Sequence, residues 1–133
     1  ENNLAVDLIQ AIGSSYVQYL FCAPHTYHLG DDMAAMIRYA APVLAQVHVA
    51  DTFNHKAGWR YIVNPPGSTA RVHQHLNIGE GEIDWDVFFK TLAEVGFDGL
   101  MTSQVFAYLP EVADECSRLM HERIHHYVDK YWQ

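Results

Sequence analysis

Three short apolar runs alternate with stretches of helical spacing along this chain, and this alternation restricts the fold more than any other feature. The apolar runs, rich in Val, Leu or aromatic residues, occupy 16–22, 46–50 and 100–106. Apolar residues at helical spacing occupy 4–12, 33–40, 85–92 and 111–130. Strands joined by helices of this length imply right-handed crossovers between parallel strands. The sequence therefore predicts an α/β fold with a parallel sheet.

Residues that begin or end helices separate these stretches. Asp31 or Asp32 can accept hydrogen bonds at the start of the second helix, and Asp84 can do so at the start of the third. Gly96 lies where the third helix is expected to end, and Pro110 lies at the first turn of the last helix. These residues place the predicted boundaries of the helices.

Length and charge limit the class of protein. A chain of 133 residues that is 50% hydrophobic can bury one core, so we expect residues 1–133 to form a single domain. The formal net charge of −8 and the pI near 5.4 argue against binding to a nucleic-acid backbone or to an anionic membrane surface. We therefore expect neither a nucleic acid nor a membrane as its partner.

The two cysteines, Cys22 and Cys116, lie far apart and form no CxxC motif. We interpret them as free thiols in a reducing compartment, which predicts a cytoplasmic protein. The first residues lack the basic and apolar regions of a signal peptide. They also lack an initiator Met, which leaves open that the chain is a fragment of a longer protein.

Histidines concentrate where the predicted strands end. Four of the nine histidines lie between residues 46 and 85, at the end of the second strand and in the loop of about thirty residues that follows it. They are His48, His55, His73 and His75. Imidazole is a common metal ligand and titrates near neutral pH, so this segment predicts a metal or acid/base site.

Two further groups occupy equivalent places. His25 and His28 follow the first strand, and Gln104 lies near the end of the third. Parallel α/β folds bind ligands at the carboxyl ends of their strands. We therefore expect the three groups to lie at one edge of the sheet.

The motifs in this part of the chain resemble the second half of the xylose-isomerase-like TIM barrels, a superfamily of sugar and sugar-phosphate isomerases and epimerases that also includes endonuclease IV. The resemblance is carried by His48-Val49-Ala50-Asp51, Arg71 to Gly81, Ile83-Asp84-Trp85 and Gly96-Phe97-Asp98-Gly99. Residues 24–30 and 64–71 are most similar to IolH-type proteins of myo-inositol catabolism. The resemblance implies the C-terminal portion of a (β/α)8 barrel.

The resemblance also implies an isomerase or epimerase of carbohydrate metabolism that moves a proton next to a metal-bound carbonyl. Its substrate would be a sugar or an inositol derivative. The family holds one divalent metal, such as zinc, manganese or iron, with a Glu, an Asp, a His and a second Glu from successive strand ends. His48 matches the ligand histidine, whereas His25 replaces the aspartate and Gln104 the last glutamate. His28 matches the histidine that contacts substrate, and the first glutamate would lie upstream of Glu1.

Several other residues are secondary candidates. His73 and His75 correspond to an Asp-x-His pair that binds an additional metal in endonuclease IV, so both are predicted metal ligands. Asp51, as a carboxylate that can steady an imidazole, joins His28 among the predicted catalytic residues. Ser68 and Arg71 are predicted substrate-binding residues, because backbone N–H groups and a guanidinium can bind phosphate.

The departures from the family pattern alter the expected chemistry. An amide such as Gln104 cannot take a proton, and the set His25, His48 and Gln104 carries no negative charge. Imidazoles suit zinc, iron, nickel or copper better than magnesium. We therefore expect this polypeptide alone to be weak or inactive. The alternative is a non-catalytic module for ligand binding or assembly on the same fold.

Two other interpretations remain open at this stage. His48 can be a hydrogen-bonded core residue instead of a ligand. His121 and His125 complete an HExxH motif typical of zinc proteases, but both lie at the edge of the apolar arc of the last helix and only eight residues follow. The protease is the least favoured function. Because three strands leave two open sheet edges, we also expect a homo-oligomer.

Overall fold

The structure is a computed structural model that describes residues 2–27, 30, 32–53, 62–63 and 72–133. Its elements, in chain order, are α1 (Asn2–Ile12), β1 (Tyr19–Cys22), α2 (Ala23–Tyr27), α3 (Met33–Ala40), β2 (Leu44–Val49), β3 (Ile62–Val63), β4 (Val72–His73), α4 (Trp85–Glu94), β5 (Leu100–Ser103) and α5 (Ala113–Tyr131). Single turns of 3-10 helix at Ala41–Val43 and Pro110–Val112 precede β2 and α5.

The four longer helices form where the sequence predicts them, and their ends have the expected chemistry. The Asp32 carboxylate accepts a hydrogen bond from the Ala35 N–H at 2.9 Å at the start of α3. The Asp84 carboxylate accepts one from the Val87 N–H at 3.0 Å at the start of α4. Gly96, with φ of 71°, adopts the left-handed conformation after α4 that glycine allows most easily.

The strands and loops differ from the prediction in detail. The first and third strands are shorter than the apolar runs, and Tyr16, expected in the first strand, exposes 97% of its surface. The segment after β1, predicted as a loop, begins with the five-residue helix α2. The long loop after β2 contains the short antiparallel pair β3–β4, which local patterning does not reveal.

The three main strands form a parallel sheet in the order β1-β2-β5, which confirms the predicted α/β class. In its register, Cys22 pairs with His48, and His48 pairs with Thr102. Because side chains alternate along a strand, Val47 and Val49 point to the opposite face and are fully buried. Helices cover that face and complete the core, where the Phe89 and Tyr127 rings of α4 and α5 stack at 4.7 Å.

The other face of the sheet is open among the described residues. We call it the open face; it consists of Leu20, Cys22, Gln46, His48, Leu100 and Thr102. Leu20 exposes 38% and Leu100 62% of their surfaces, whereas Gln46 and His48 are half-buried. The Gln46 amide donates a hydrogen bond to the Thr102 hydroxyl at 3.0 Å, which links β2 to β5 across this face. The sheet is thus covered on one side and accessible on the other.

A buried carboxylate holds the chain where it returns to the sheet after β4. Asp51 is fully buried just beyond β2, and its backbone pairs with that of Leu76 through two hydrogen bonds of 2.8 Å. Its carboxylate accepts hydrogen bonds from the N–H groups of Thr52 (2.9 Å), Gly79 (2.7 Å) and Ile83 (3.2 Å) and from the Trp85 indole (2.8 Å). Three of these four donors belong to residues 74–85, which we call the return segment, and they attach it to the end of β2.

The approach of the chain to this carboxylate requires a glycine at position 81. A Cβ atom there would lie 2.3 Å from an Asp51 carboxylate oxygen and 2.3 Å from the Thr52 carbonyl oxygen. No side chain fits at those distances, so the return segment can pass Asp51 this closely only with glycine.

We predict that Asp51→Asn destabilises the protein by about 3 kcal/mol or more, because an amide keeps one acceptor oxygen and leaves two of the four buried donors without a partner. The measurement is urea unfolding at one fixed protein concentration. The matched control is Asp84→Asn, which changes an exposed helix cap where Asn serves about as well as Asp. Equal shifts in the two variants would contradict the role given to Asp51.

Candidate functional site

Several of the candidate site residues lie at the edge formed by the carboxyl ends of β1, β2 and β5. Beyond β5 the Gln104 N–H donates to the Val49 carbonyl at 3.1 Å, so the chain stays beside β2 for one more residue. The N–H groups of Phe106 and Ala107 then donate to the His75 carbonyl, each at 3.3 Å. These bonds place His75, Gln104 and the end of β1 beside one another.

Cys22 is at the centre of this group. Its Sγ lies 3.0 Å from His25 Nδ1, 3.6 Å from Gln104 Oε1 and 3.9 Å from His75 Nε2. The sulphur and the two ring nitrogens lie within 4.8 Å of one another. Within the part of the chain that the structure describes, no other three His, Cys, Asp or Glu side chains bring their ligand atoms this close together. We refer to Cys22, His25 and His75 as the thiol–imidazole cluster.

The cluster is partly shielded from solvent. His75 is fully buried and stacks on the Phe106 ring at 4.0 Å, while Cys22 is half-buried and His25 is exposed. The His25 and His75 rings meet edge to face at 4.9 Å. Burial raises the pKa of the Cys22 thiol, and a hydrogen bond with the His25 backbone opposes part of that rise. One side of the cluster is therefore buried, and the other faces solvent.

Three of the predicted site residues, His25, His75 and Gln104, thus come together. His48 does not join the cluster, although it is the register partner of Cys22; its Nε2 lies 3.4 Å from the Gln46 amide nitrogen on the open face. Asp51 also lies outside the cluster, and its carboxylate accepts the four N–H hydrogen bonds described above.

The remaining predicted residues cannot be placed. For His73 the structure gives the backbone, which belongs to β4 and pairs with Ile62. His28, His55, Ser68 and Arg71 lie outside the described residues. Their predicted roles stay predictions.

Cys22 is the residue that sequence reasoning missed. Cys22 has no CxxC partner, which predicts a free thiol and nothing more. The informative spacing is Cys22-x-x-His25 at the end of a strand. A thiol and an imidazole three residues apart at that place can meet across the first turn of α2. Its contact with His75 bridges 53 positions and cannot be found from local sequence.

The carboxylate-rich metal set that the resemblance implies does not fit this site. At the matching positions the chain has His25, His48 and Gln104. Asp51 is the one fully buried carboxylate among the described residues, and it is held by its N–H donors. Oxygen-preferring ions such as Mg²⁺ find few partners here. The thiol and two imidazoles instead match the ligands that zinc and similar ions prefer.

A polar contact beside the site joins the return segment to the chain after β5. The Asn77 N–H donates to the Tyr108 hydroxyl oxygen at 3.2 Å, and that hydroxyl donates to the Glu80 carboxylate. The Asn77 amide also donates to Glu80 at 3.3 Å. Burial, followed by the bond to Glu80, raises the pKa of Tyr108 to about 12. The hydroxyl therefore remains a neutral donor at physiological pH.

The HExxH residues lie elsewhere. His121 and His125 are exposed on α5 with their rings 4.2 Å apart, and they line a groove of about 990 Å³ between β5 and α5. The thiol–imidazole cluster is not part of that lining. Among the described residues no third ligand atom joins the pair, so the geometry gives the protease no support. None of the described helices is long and apolar enough to cross a membrane.

Comparisons with known proteins agree with this geometry. Residues 2–122 match the family described as xylose isomerase-like TIM barrel. No curated protein matches the sequence significantly. A xylose isomerase domain protein from Planctomyces limnophilus superposes with a TM-score of 0.70 at 15% identity, over 98% of this chain and 42% of that one.

Two other solved structures are similar. The IolI protein with a bound zinc atom has a TM-score of 0.66 at 21% identity, over 96% of this chain and 43% of its own. An L-ribulose 3-epimerase has a TM-score of 0.66 at 15% identity, over 98% of this chain and 42% of its own. The chain thus spans less than half the length of these structures.

The family match and the superpositions confirm the predicted partial barrel. The closer similarity to IolH-type proteins stays a prediction. With 2–122 matched and the parallel β1-β2-β5 sheet as its framework, the chain belongs to the xylose isomerase-like TIM barrel family.

Proposed function

We propose that this chain provides the C-terminal part of a site for isomerising or epimerising a sugar or inositol-derived ketose. The observation that supports it is the convergence of Cys22, His25, His75 and Gln104 on one point at the carboxyl edge of the sheet. Related barrels such as the L-ribulose 3-epimerase share this fold, and the name of that enzyme describes a reaction at a carbon of a ketose. Parallel α/β barrels place their chemistry at this edge.

The reaction requires that a proton leave a carbon next to a carbonyl and return from an acid. Within the described residues the site offers imidazoles for this transfer. His48 is the register partner of Cys22, but its ring contacts Gln46 on the open face and lies outside the cluster. This position favours a role for His48 in proton transfer over the ligand role that the resemblance implies. Gln104 can donate through its amide nitrogen to a sugar hydroxyl but cannot accept the proton from carbon.

A divalent ion at the cluster would polarise a carbonyl oxygen of the sugar. His25 and His75 are the residues that we propose hold it, with Gln104 beside them. Asp51 acts by positioning, because it attaches the segment that carries His75. His28 remains the proposed substrate contact, His73 a secondary ligand, and Ser68 and Arg71 a proposed site for a phosphate.

The metabolic setting is also part of the proposal. The similarity of residues 24–30 and 64–71 to IolH-type proteins supports an inositol derivative as substrate. The two free cysteines support a reducing compartment such as the cytoplasm.

A non-catalytic module is the second candidate, and Gln104 favours it. An amide at the end of β5 can orient a bound sugar by hydrogen bonds, whereas it removes the base that the family's glutamate provides. Such a module would bind sugars and leave their carbon-bound protons in place.

We predict that the chain alone exchanges the proton next to the ketose carbonyl only weakly, and that Gln104→Glu raises this rate by about 100-fold because it restores a carboxylate base. The measurement is deuterium uptake by L-ribulose and an inositol-derived ketose in D₂O, followed by mass spectrometry. Adding His48→Gln to Gln104→Glu should return the rate to the background.

The matched control is Gln10→Glu, which adds the same charge at an exposed position of α1 instead of at the carboxyl edge. Turnover by the unmodified chain at ordinary enzyme rates, about 1–1000 per second, would contradict its predicted weakness. Absence of exchange in every folded variant would refute the proposed proton transfer. Sugar binding in calorimetry without exchange would establish the non-catalytic module.

We also propose that further copies of this chain cover its exposed apolar surfaces. No described strand pairs with the outer edges of β1 and β5. Leu4, Leu8 and Ile12 expose 70%, 63% and 52% of their surfaces along one side of α1. Apolar residues at this spacing usually pack against another element.

We predict a homo-oligomer in light scattering, because unpaired strand edges and the α1 stripe favour association. The double variant Leu4→Glu/Leu8→Glu should shift the particles toward the monomer, whereas Val87→Glu, on an exposed position of α4, should not. A monomer of 15.2 kDa for the unmodified chain at all concentrations would refute the assembly.

A further inference from the structure

We propose that Cys22, His25 and His75 form a thiolate–imidazole site for one divalent ion of the zinc class, with the Gln104 amide oxygen beside the fourth position. The three metal-ligand atoms come from the end of β1 (Cys22), from α2 (His25) and from the return segment (His75), and the group contains no carboxylate. The inference deepens the proposed function by naming the ion class at the same site, but its evidence and its test do not depend on turnover.

The distances agree with one tetrahedral ion. With bonds of about 2.3 Å to sulphur and about 2.0 Å to nitrogen, tetrahedral ligands lie about 3.5 Å apart for each sulphur–nitrogen pair. In the structure Cys22 Sγ lies 3.0 Å from His25 Nδ1 and 3.9 Å from His75 Nε2, on either side of that value. Gln104 Oε1, at 3.6 Å from Sγ, also lies at a ligand-to-ligand distance. Both sulphur–nitrogen distances lie within about half an ångström of the tetrahedral value. The two ring nitrogens lie within 4.8 Å of each other and would have to approach to about 3.3 Å around a bound ion.

The surroundings hold two of the donors in place. His75 is fully buried, stacks on Phe106 at 4.0 Å and has its carbonyl bonded by the N–H groups of Phe106 and Ala107. Cys22 is fixed by the pairing of β1 with β2. Such restraint on a ligand lowers the cost of gathering donors around an ion.

The remaining donor leaves the site accessible. His25 is exposed and lies on α2, the helix that begins directly after Cys22. Sites with three protein ligands and an open fourth position are typical of catalytic zinc, whereas structural zinc is closed by four. An exposed side and a neutral amide near the fourth position therefore fit an ion that also meets a sugar oxygen.

The donor types select the ion. Thiolate and imidazole prefer zinc, cobalt or copper, whereas magnesium and calcium prefer oxygen. Binding replaces the proton of the Cys22 thiol by the ion, so one proton is released to solvent for each thiolate formed. A hydrogen-bonded cluster without an ion is the competing explanation, and it predicts neither metal binding nor proton release.

The test is titration of the metal-free chain with Co²⁺, which gives a sulphur-to-cobalt charge-transfer band only when a thiolate binds the ion. We expect the band at one ion per chain and its disappearance in Cys22→Ser. In His25→Ala the apparent affinity for Co²⁺ should fall by about 100-fold or more. Loss of a residue that only hydrogen-bonds to a ligand costs about 10- to 100-fold in affinity, and loss of a ligand itself should cost at least as much. Zn²⁺ should displace Co²⁺, and Mg²⁺ should not.

Cys116→Ser and His121→Ala are the matched controls, because they remove the other thiol and one histidine of the α5 pair. A band that is absent from the unmodified chain, survives in Cys22→Ser or depends on Cys116 or His121 would overturn the proposed site. Far-ultraviolet circular dichroism checks that each variant folds. If Cys22→Ser does not fold, the loss of Co²⁺ affinity in His25→Ala tests the site instead, because His25 is exposed and its replacement should leave the fold intact.

The deuterium-exchange assay separates the two proposals. Exchange without a thiolate band would overturn the ion site and leave the proposed function standing. A thiolate band with no exchange in any folded variant, Gln104→Glu included, would overturn the proposed function and leave the ion site.

Discussion

The site depends most on the hydrogen bonds to the buried carboxylate of Asp51. A charge taken out of water is costly unless hydrogen bonds replace its hydration, and here four N–H donors do so. All four belong to residues after β2, three of them to the segment that returns to the sheet. The hydrogen bonds that replace the hydration of Asp51 therefore fix where the return segment lies. His75 contacts Cys22 because the neighbouring residue, Leu76, is hydrogen-bonded to the Asp51 backbone.

The parallel sheet supplies the second constraint. Its register aligns Cys22, His48 and Thr102 across the sheet, and the alternation of side chains keeps all three on the open face while Val47 and Val49 fill the core. The thiol at the end of β1 can then contact groups that follow β5, which lies two strands away. A full barrel would enclose the open face, whereas in this chain, which covers 42% of a similar barrel, His48 is half-buried.

Local sequence predicts the elements whose stability is local. The caps Asp32 and Asp84 and the turn at Gly96 mark α3 and α4, because each acts within a few residues. Strand ends are predicted less well: an apolar run continues beyond the residues that find a partner, as Tyr16 shows. The roles of Asp51 and Cys22 depend on contacts 28 to 82 positions away, so their residue types are visible in the sequence but their partners are not.

The replacement of carboxylates at the sheet edge changes what the site can do. A divalent ion surrounded by one thiolate and neutral imidazoles keeps a net positive charge, whereas the family's acidic ligands neutralise it. Positive charge attracts sugar oxygens, but the same substitutions remove the group that accepts a proton from carbon, since neither Gln104 nor a bound imidazole can do so. In the proposed function, binding and proton transfer are therefore assigned to different residues: the cluster would hold the sugar, and an imidazole outside it, such as His48, would move the proton.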